Sequence, residues 1–348
     1  MPRLRKVDSA SPGITRRRRG RGFSYEDARG RPVRDPDVLA RIRSLAVPPA
    51  WTDVWICPDA DGHLQATGTD AAGRRQPIYH EAWRRRQDAR KFERMTAFAR
   101  SLPAMREVVQ RDLARDDVPK ERVMAAAVRL LDRGTFRIGS EAYTDQNGSF
   151  GLATIRKSHV QIEGTKLVFD YAAKGGIRRI HEVDDPMLAP LVELLKRRRT
   201  GGIELLAYRE AGRWRDLKSG EINAYLKSLL GDDHSAKDFR TWHATVLAAV
   251  DIAGAEAHDA TSTKRLIAAT VRNVADHLGN TPAVCRASYI DPRVFERFSE
   301  GRTVASALEA IPTHDAEAAL ELVEAAVLDL LGPVARSGAE PATGAVAA

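Results

Sequence analysis

Tyr289 closes the segment LGNTPAVCRASYIDP nine residues after Asn280. Upstream, SAKDFRTW sets Lys237 and Arg240 three residues apart at the start of a helix. There the helix dipole and free backbone N–H groups favour an anion, so both cations can attend a phosphate. A nucleophilic hydroxyl beside a cationic phosphate cradle points to covalent phosphoryl transfer through tyrosine. Two further cations suit that chemistry. Arg137, in TFRIGSEAY, offers a forked guanidinium to two nonbridging phosphate oxygens. Lys174, beside Gly175 and Gly176, can deliver a proton from a hairpin tip. Each has an ordinary reading as well: a carbonyl-capping arginine, a surface lysine in a glycine turn, a charged helix face and a tyrosine packed at a helix end. His243, one turn after Arg240, reads as structural or as a DNA contact rather than as catalytic.

The elements that must hold these residues are legible locally. KERVMAAAVRLLDRG carries Val123, Ala127, Leu130 and Leu131 near helical period and stops at Gly134, just before Arg137. HVQIEGTKLVFDYAAKGGIRRIHEV reads as three short strands, with Lys174 in the second turn. Ser235 and Asp238 form a capping box, and Phe239, Trp242, Val246 and Ala249 trace the buried stripe of the helix that follows. In TKRLIAATVRNVADHLG the stripe is Ile267, Val271, Val274 and Leu278, with Gly279 as the stop. Thr281 then N-caps a short helix with Pro282 at its first position, which holds Asn280 in a tight link and leaves Tyr289 at the far end.

The 348 residues are enough for two domains, and 43% hydrophobic content supports real cores. A net charge of +8 favours a polyanionic partner. Residues 1–22 hold eight Lys/Arg against one Asp, including the run Arg16 to Arg19, and read as a basic flexible arm. Only Cys57 and Cys285 occur, too far apart for metal-ligand spacing and with no disulfide framework. No apolar run is long enough to span a membrane, so a cytosolic protein is expected. The pairs Asp116/Asp117, Asp184/Asp185 and Asp232/Asp233 read as caps and solvated turns rather than magnesium ligands. The expected fold class is α+β. It comprises an arm at 1–22, an antiparallel β-rich domain at 23–98, a mainly helical domain with a β-hairpin insertion at 99–331, and a disordered tail at 332–348.

In order, Arg137 in FRIG, Lys174 in AAKGG, Arg240 in KDFRTW, Asn280 in LGNTP and Tyr289 in CRASYI resemble the catalytic pentad of type IB DNA topoisomerases, in their compact poxvirus-like and bacterial branch. GHLQATGTDAAGRRQPIYH resembles the N-terminal β domain of that branch. The resemblance runs from about Gly22 to Leu331. It implies that Tyr289 attacks a backbone phosphodiester, forming a 3′-phosphotyrosyl bond and freeing a 5′-hydroxyl about which the DNA swivels before resealing. Arg137, Arg240 and Asn280 would hold the nonbridging oxygens, Lys174 would protonate the 5′ oxygen and Lys237 would support the same phosphate. Neither ATP, metal nor any other cofactor is expected. The partner would be duplex DNA, clamped by a monomer, with Gln65, Arg74, Arg75, Gln76, Tyr79, Tyr143 and His243 as further contacts. One departure stands out: relatives in poxviruses and eukaryotes have histidine where this chain has Asn280, and an asparagine cannot exchange protons at neutral pH. A tyrosine recombinase would use nearly the same constellation, but usually with a helical N-terminal domain. A non-catalytic basic DNA-binding protein would explain the charge alone.

Overall fold

The arginine run near the N-terminus folds as a strand. In the computed structural model, which describes residues 3–311 and 316–332, β1 (Ile14–Arg19) pairs antiparallel with β2 (Gly22–Glu26) through a turn at Gly20, where φ is 55°. Ile14 is buried while Arg17 meets Glu26 at 3.2 Å. Arg16 donates to the carbonyls of Val47 (3.1 Å), Pro48 (3.0 Å) and Trp51 (2.7 Å). The expected flexible arm is corrected accordingly. One side chain in the run closes three backbone acceptors and Ile14 joins a core, so the segment belongs to a sheet. Helix α1 (Pro36–Ser44) follows, and strands β3 (Thr52–Ile56), β4 (Leu64–Thr69) and β5 (Arg75–Tyr79) complete an antiparallel five-stranded sheet in the order β2-β1-β3-β4-β5. Ile14, Ile42, Val54, Ile56 and Ala66 form its core.

Two compact units divide the chain, one running to Glu93 and the other starting at Arg94. Helix α2 (Glu81–Leu113) begins in the first and continues into the second. The second unit is mainly helical. Its centre is α3 (Lys120–Arg133), whose residues Val123 to Asp132 are all buried. The helix ends where expected, but Gly134 is extended rather than left-handed. It is glycine because a Cβ there would overlap the Phe136 ring. After α4 (Glu141–Asn147) come β6 (Val160–Glu163), β7 (Lys166–Ala172) and β8 (Arg178–Asp184), an antiparallel sheet with Lys174 in its second turn. Helix α5 (Leu188–Arg197) leads to a hairpin of β9 (Ala207–Glu210) and β10 (Arg213–Asp216). Then follow α6 (Ser219–Leu230), α7 (Ala236–Ala253), α8 (Ala260–Leu278), α9 (Pro282–Ser288), α10 (Pro292–Ser299), α11 (Ala305–Glu309) and α12 (Ala316–Leu331).

A buried ion network ties these helices together. Arg106 on α2 meets Asp132 on α3 at 2.8 and 2.9 Å and Glu324 on α12 at 2.7 and 3.1 Å, and Trp242 on α7 donates its indole N–H to Glu324 at 2.8 Å. Both carboxylates are paired with Arg106, and Glu324 takes the indole donor as well, the kind of hydrogen-bonded pairing under which buried charges can be held. Among the described residues no helix is long and apolar enough to cross a membrane. Apart from Gly332, the expected tail at 332–348 lies outside the described residues.

Candidate active site

The last turn of α8 is where the candidate residues converge. Gly279 is left-handed, with φ 64°. Its N–H donates to Asp276 O at 3.2 Å and that of Asn280 to Ala275 O at 2.9 Å, the crossed closure of a Schellman motif. A helix leaves its final carbonyls without intrahelical partners. Here three arginines take them. Arg179 donates to Asp276 O (3.1 Å) and His277 O (2.9 Å), Arg240 to Leu278 O (2.9 Å), and Arg137 to Gly279 O (3.1 Å). The negative end of the helix dipole thus gathers three guanidiniums in one place.

Local sequence explains how each arrives. Arg137 follows α3 in an extended segment whose glycine, Gly139, has φ 76° and lies backbone to backbone on Gly151, where neither residue has room for a Cβ. Leu152 N–H and Ala153 N–H donate to the carbonyls of Arg137 and Ile138, both at 2.8 Å, fixing the segment. Arg240 sits on α7, which starts at the expected cap: Ser235 N–H donates to the Asp238 carboxylate at 2.8 Å. Only 4% of Arg240 is exposed, so it does not lie on a solvated charged face. Its guanidinium also donates to Thr135 O. Arg240 thus turns away from the start of α7, where it was expected. Of that helix's first amides, Ala236 N–H donates to Asn223 Oδ1 at 3.4 Å and Asp238 N–H to Ser235 O at 2.9 Å, and Arg240 reaches instead to the end of α8.

Arg137 Nη2 donates to Asn280 Oδ1 at 2.5 Å. Asn280 Nδ2 is left buried and without a partner among the described residues, and so is Arg240 Nε. A buried donor left unmet costs about 1–3 kcal/mol, and here two such donors belong to a cluster whose guanidiniums are bonded to carbonyls rather than carboxylates. Burial and the neighbouring Arg137 push the Arg240 pKa down to about 10, a shift that nearby negative charge would relieve. An anion with several acceptor oxygens fits this arrangement.

Tyr289 is the C-cap of α9, whose first turn is capped by the Thr281 hydroxyl on Val284 N–H at 3.4 Å. Its ring centroid lies 5.5 Å from the Arg240 guanidinium carbon. Thr245 on α7 pins the turn beyond it, donating to Tyr289 O at 3.3 Å and accepting from Asp291 N–H at 3.1 Å. The structure thus brings Arg137, Arg240, Asn280 and Tyr289 together. Lys174 is exposed at the β7–β8 tip, and Lys237 is exposed one turn before Arg240.

Sequence reading missed Arg179 and His181. On β8 they share a face with the buried Val183, and that alternation was the available signal. Burial, then Arg179 and Arg240, push the His181 pKa down to about 4, so the ring is neutral beside these cations.

The expected DNA contacts divide. Arg74 and Arg75 are exposed near the β4–β5 turn, where Arg74 pairs with Asp70 at 2.8 Å. Gln76 also donates to Asp70, and Tyr79 and Tyr143 are 40% and 37% exposed. Gln65 is a correction. It is 3% exposed, its oxygen accepts from Arg41 at 2.7 Å, and its amide nitrogen donates to Gly62 O at 2.7 Å, so it closes its own loop rather than facing a groove. His243 lines a cleft with Asp132, Thr135 and Glu324, where burial pushes its pKa down to about 4. Among the acid pairs, Asp185 is buried against Arg129 at 2.5 Å and accepts from Met187 N–H at 2.9 Å, as a cap should.

Comparison with known proteins gives these contacts a family. Residues 80–308 match the model of the eukaryotic DNA topoisomerase I catalytic core. Residues 22–70 match that of the bacterial DNA topoisomerase IB N-terminal domain. The chain is 28% identical to DNA topoisomerase 1B of Acanthamoeba polyphaga mimivirus over 80% of its own length and 85% of the viral protein's. It is 29% identical to DNA topoisomerase 1 of Daucus carota, over 39% of its own length and 16% of the plant protein's. With one family model matching most of the helical unit and a second matching part of the N-terminal one, the chain belongs to the type IB DNA topoisomerases.

Proposed function

We propose that the chain relaxes supercoiled duplex DNA by transient cleavage of one strand through Tyr289, without ATP or a metal ion. The observation that carries this reading is the pair of unmet buried donors, Arg240 Nε and Asn280 Nδ2, in the arginine cluster beside Tyr289. The Tyr289 oxygen attacks the scissile phosphorus and gives up its proton to water. The bond to the 5′ oxygen breaks as the tyrosyl ester forms. Charge developing on the nonbridging oxygens is met by Arg137, Arg240 and Asn280, with Lys237 as an auxiliary contact. Lys174, on its hairpin tip, supplies the proton that the departing 5′ oxygen takes up. One phosphodiester replaces another, so the 5′-hydroxyl can reverse the step with no external energy source. In this reading a single copy of the chain acts on the duplex.

Supercoiled plasmid incubated with the protein in EDTA, without nucleotide, is the test. Stepwise relaxation with a covalent 3′ adduct is expected. Tyr289→Phe should abolish the adduct while leaving DNA affinity within about threefold, because only the nucleophilic oxygen is lost. An adduct formed by Tyr289→Phe, or relaxation that requires magnesium, would overturn the proposal.

A further inference from the structure

Strand β8 carries two consecutive arginines with opposite duties. Arg178 turns back within its own hairpin and pairs with Asp170 at 2.8 Å. Arg179, opposite Tyr171 in the register of β7 and β8, reaches out of the sheet. Its two terminal nitrogens donate to Asp276 O and His277 O on the last turn of α8. Gly279 fits beneath this guanidinium, and any Cβ at that position would overlap it. The contact holds despite burial and the adjacent Arg137, both of which lower the Arg179 pKa from its ordinary value.

Lys174 stands five residues before Arg179, at an exposed tip where Gly175 and Gly176 both have positive φ, 79° and 73°. Such a tip does not locate a side chain by itself. The end of α8, by contrast, is fixed by its own backbone closure and by Arg137 and Arg240. The geometry points to Arg179 as a positioning residue that fastens the Lys174 hairpin to the helix end bearing Asn280, and so sets where the general acid stands against the scissile phosphate. This rests on the reading of Lys174 as the acid. A general acid must stand within hydrogen-bond reach of its target, and a misplacement of about 1 Å can cost about 10²-fold. Lysine cannot reproduce the link, because its ammonium lacks the planar fork that spans two adjacent carbonyls.

The test measures single-turnover adduct formation by the full chain on duplexes whose scissile 5′ bridging atom is oxygen or sulfur. A sulfur leaving group needs little protonation. Arg179→Met should slow cleavage of the oxygen substrate by about 10- to 100-fold. It should recover to within about threefold of wild type with sulfur, as Lys174→Ala should. The double variant should be no slower than Lys174→Ala alone, because the two residues act as a unit. Equal loss on both substrates, a further loss stacked on Lys174→Ala, or no loss would overturn the inference. Should Arg179→Met melt earlier than wild type, Arg179→Lys is read by the same criteria. Failure of sulfur to rescue Lys174→Ala would instead discard the assignment of the acid, and the inference with it.

Discussion

Arg137 Nη2 and Asn280 Oδ1 lie 2.5 Å apart, and this one contact orients the Asn280 amide. With its oxygen committed to Arg137, the NH2 is the group left buried and without a partner among the described residues. Asn280→Ala removes that donor and should slow adduct formation by about 10²-fold or more, the usual cost of losing one preorganised donor to a developing oxyanion. Asn280→Asp preserves an acceptor for Arg137 but sets a carboxylate oxygen where the donor was. It should be at least as slow. A wild-type rate for Asn280→Asp in single-turnover cleavage would show that Nδ2 does not touch the phosphate.

The arginines of β1 are not equivalent. Arg18 and Arg19 are exposed, while Arg16 spends its guanidinium on three carbonyls. If the exposed pair neutralises phosphates, Arg18→Gln with Arg19→Gln should lower the salt slope of DNA binding by up to about 0.9 for each phosphate no longer neutralised. Arg16→Gln should instead lower the melting temperature of the sheet, having removed the donors to three part-buried carbonyls. Salt titrations and thermal melts on the two variants separate these effects. An unchanged slope for the first would place β1 away from DNA.

Arg106 is 7% exposed and holds two buried carboxylates. Arg106→Met leaves Asp132 and Glu324 as uncompensated charges and should destabilise the helical unit by about 3–5 kcal/mol. Denaturant unfolding measures it. A loss below about 1 kcal/mol would mean that the carboxylates find other partners.

His181 and His243 set an acid limit on stability. Each has a pKa near 4 in the folded chain against an ordinary 6.5. Above pH 6.5 both states are neutral and no pH dependence arises from them. Between 6.5 and 4 the unfolded chain protonates first, so stability falls, by up to about 1.4 kcal/mol per pH unit for each histidine, and levels off below 4. Urea midpoints at pH 7 and pH 5 should differ less in His243→Gln than in wild type. Equal differences would show that His243 charges freely in the folded protein.

The features legible in the sequence are those whose physics is local. The Ser235 cap, the Gly279 stop, the Thr281–Pro282 start and the glycine turn at Lys174 depend on residues a few positions apart, where capping and periodicity act. They placed Tyr289 at a helix end and Lys174 on a tip. The tertiary structure alone decided what the arginines hold. Arg179 finds its carbonyls 97 and 98 residues away and Arg137 finds its own 142 away. No capping rule reaches that far, so the guanidinium of Arg240, expected beside the first amides of α7, is found at the carbonyls of α8. Gln65 and the β1 arginines follow the same logic. A polar side chain in a β-prone segment faces outward or closes a loop according to which backbone groups the sheet leaves unpaired, and only the assembled sheet determines which those are.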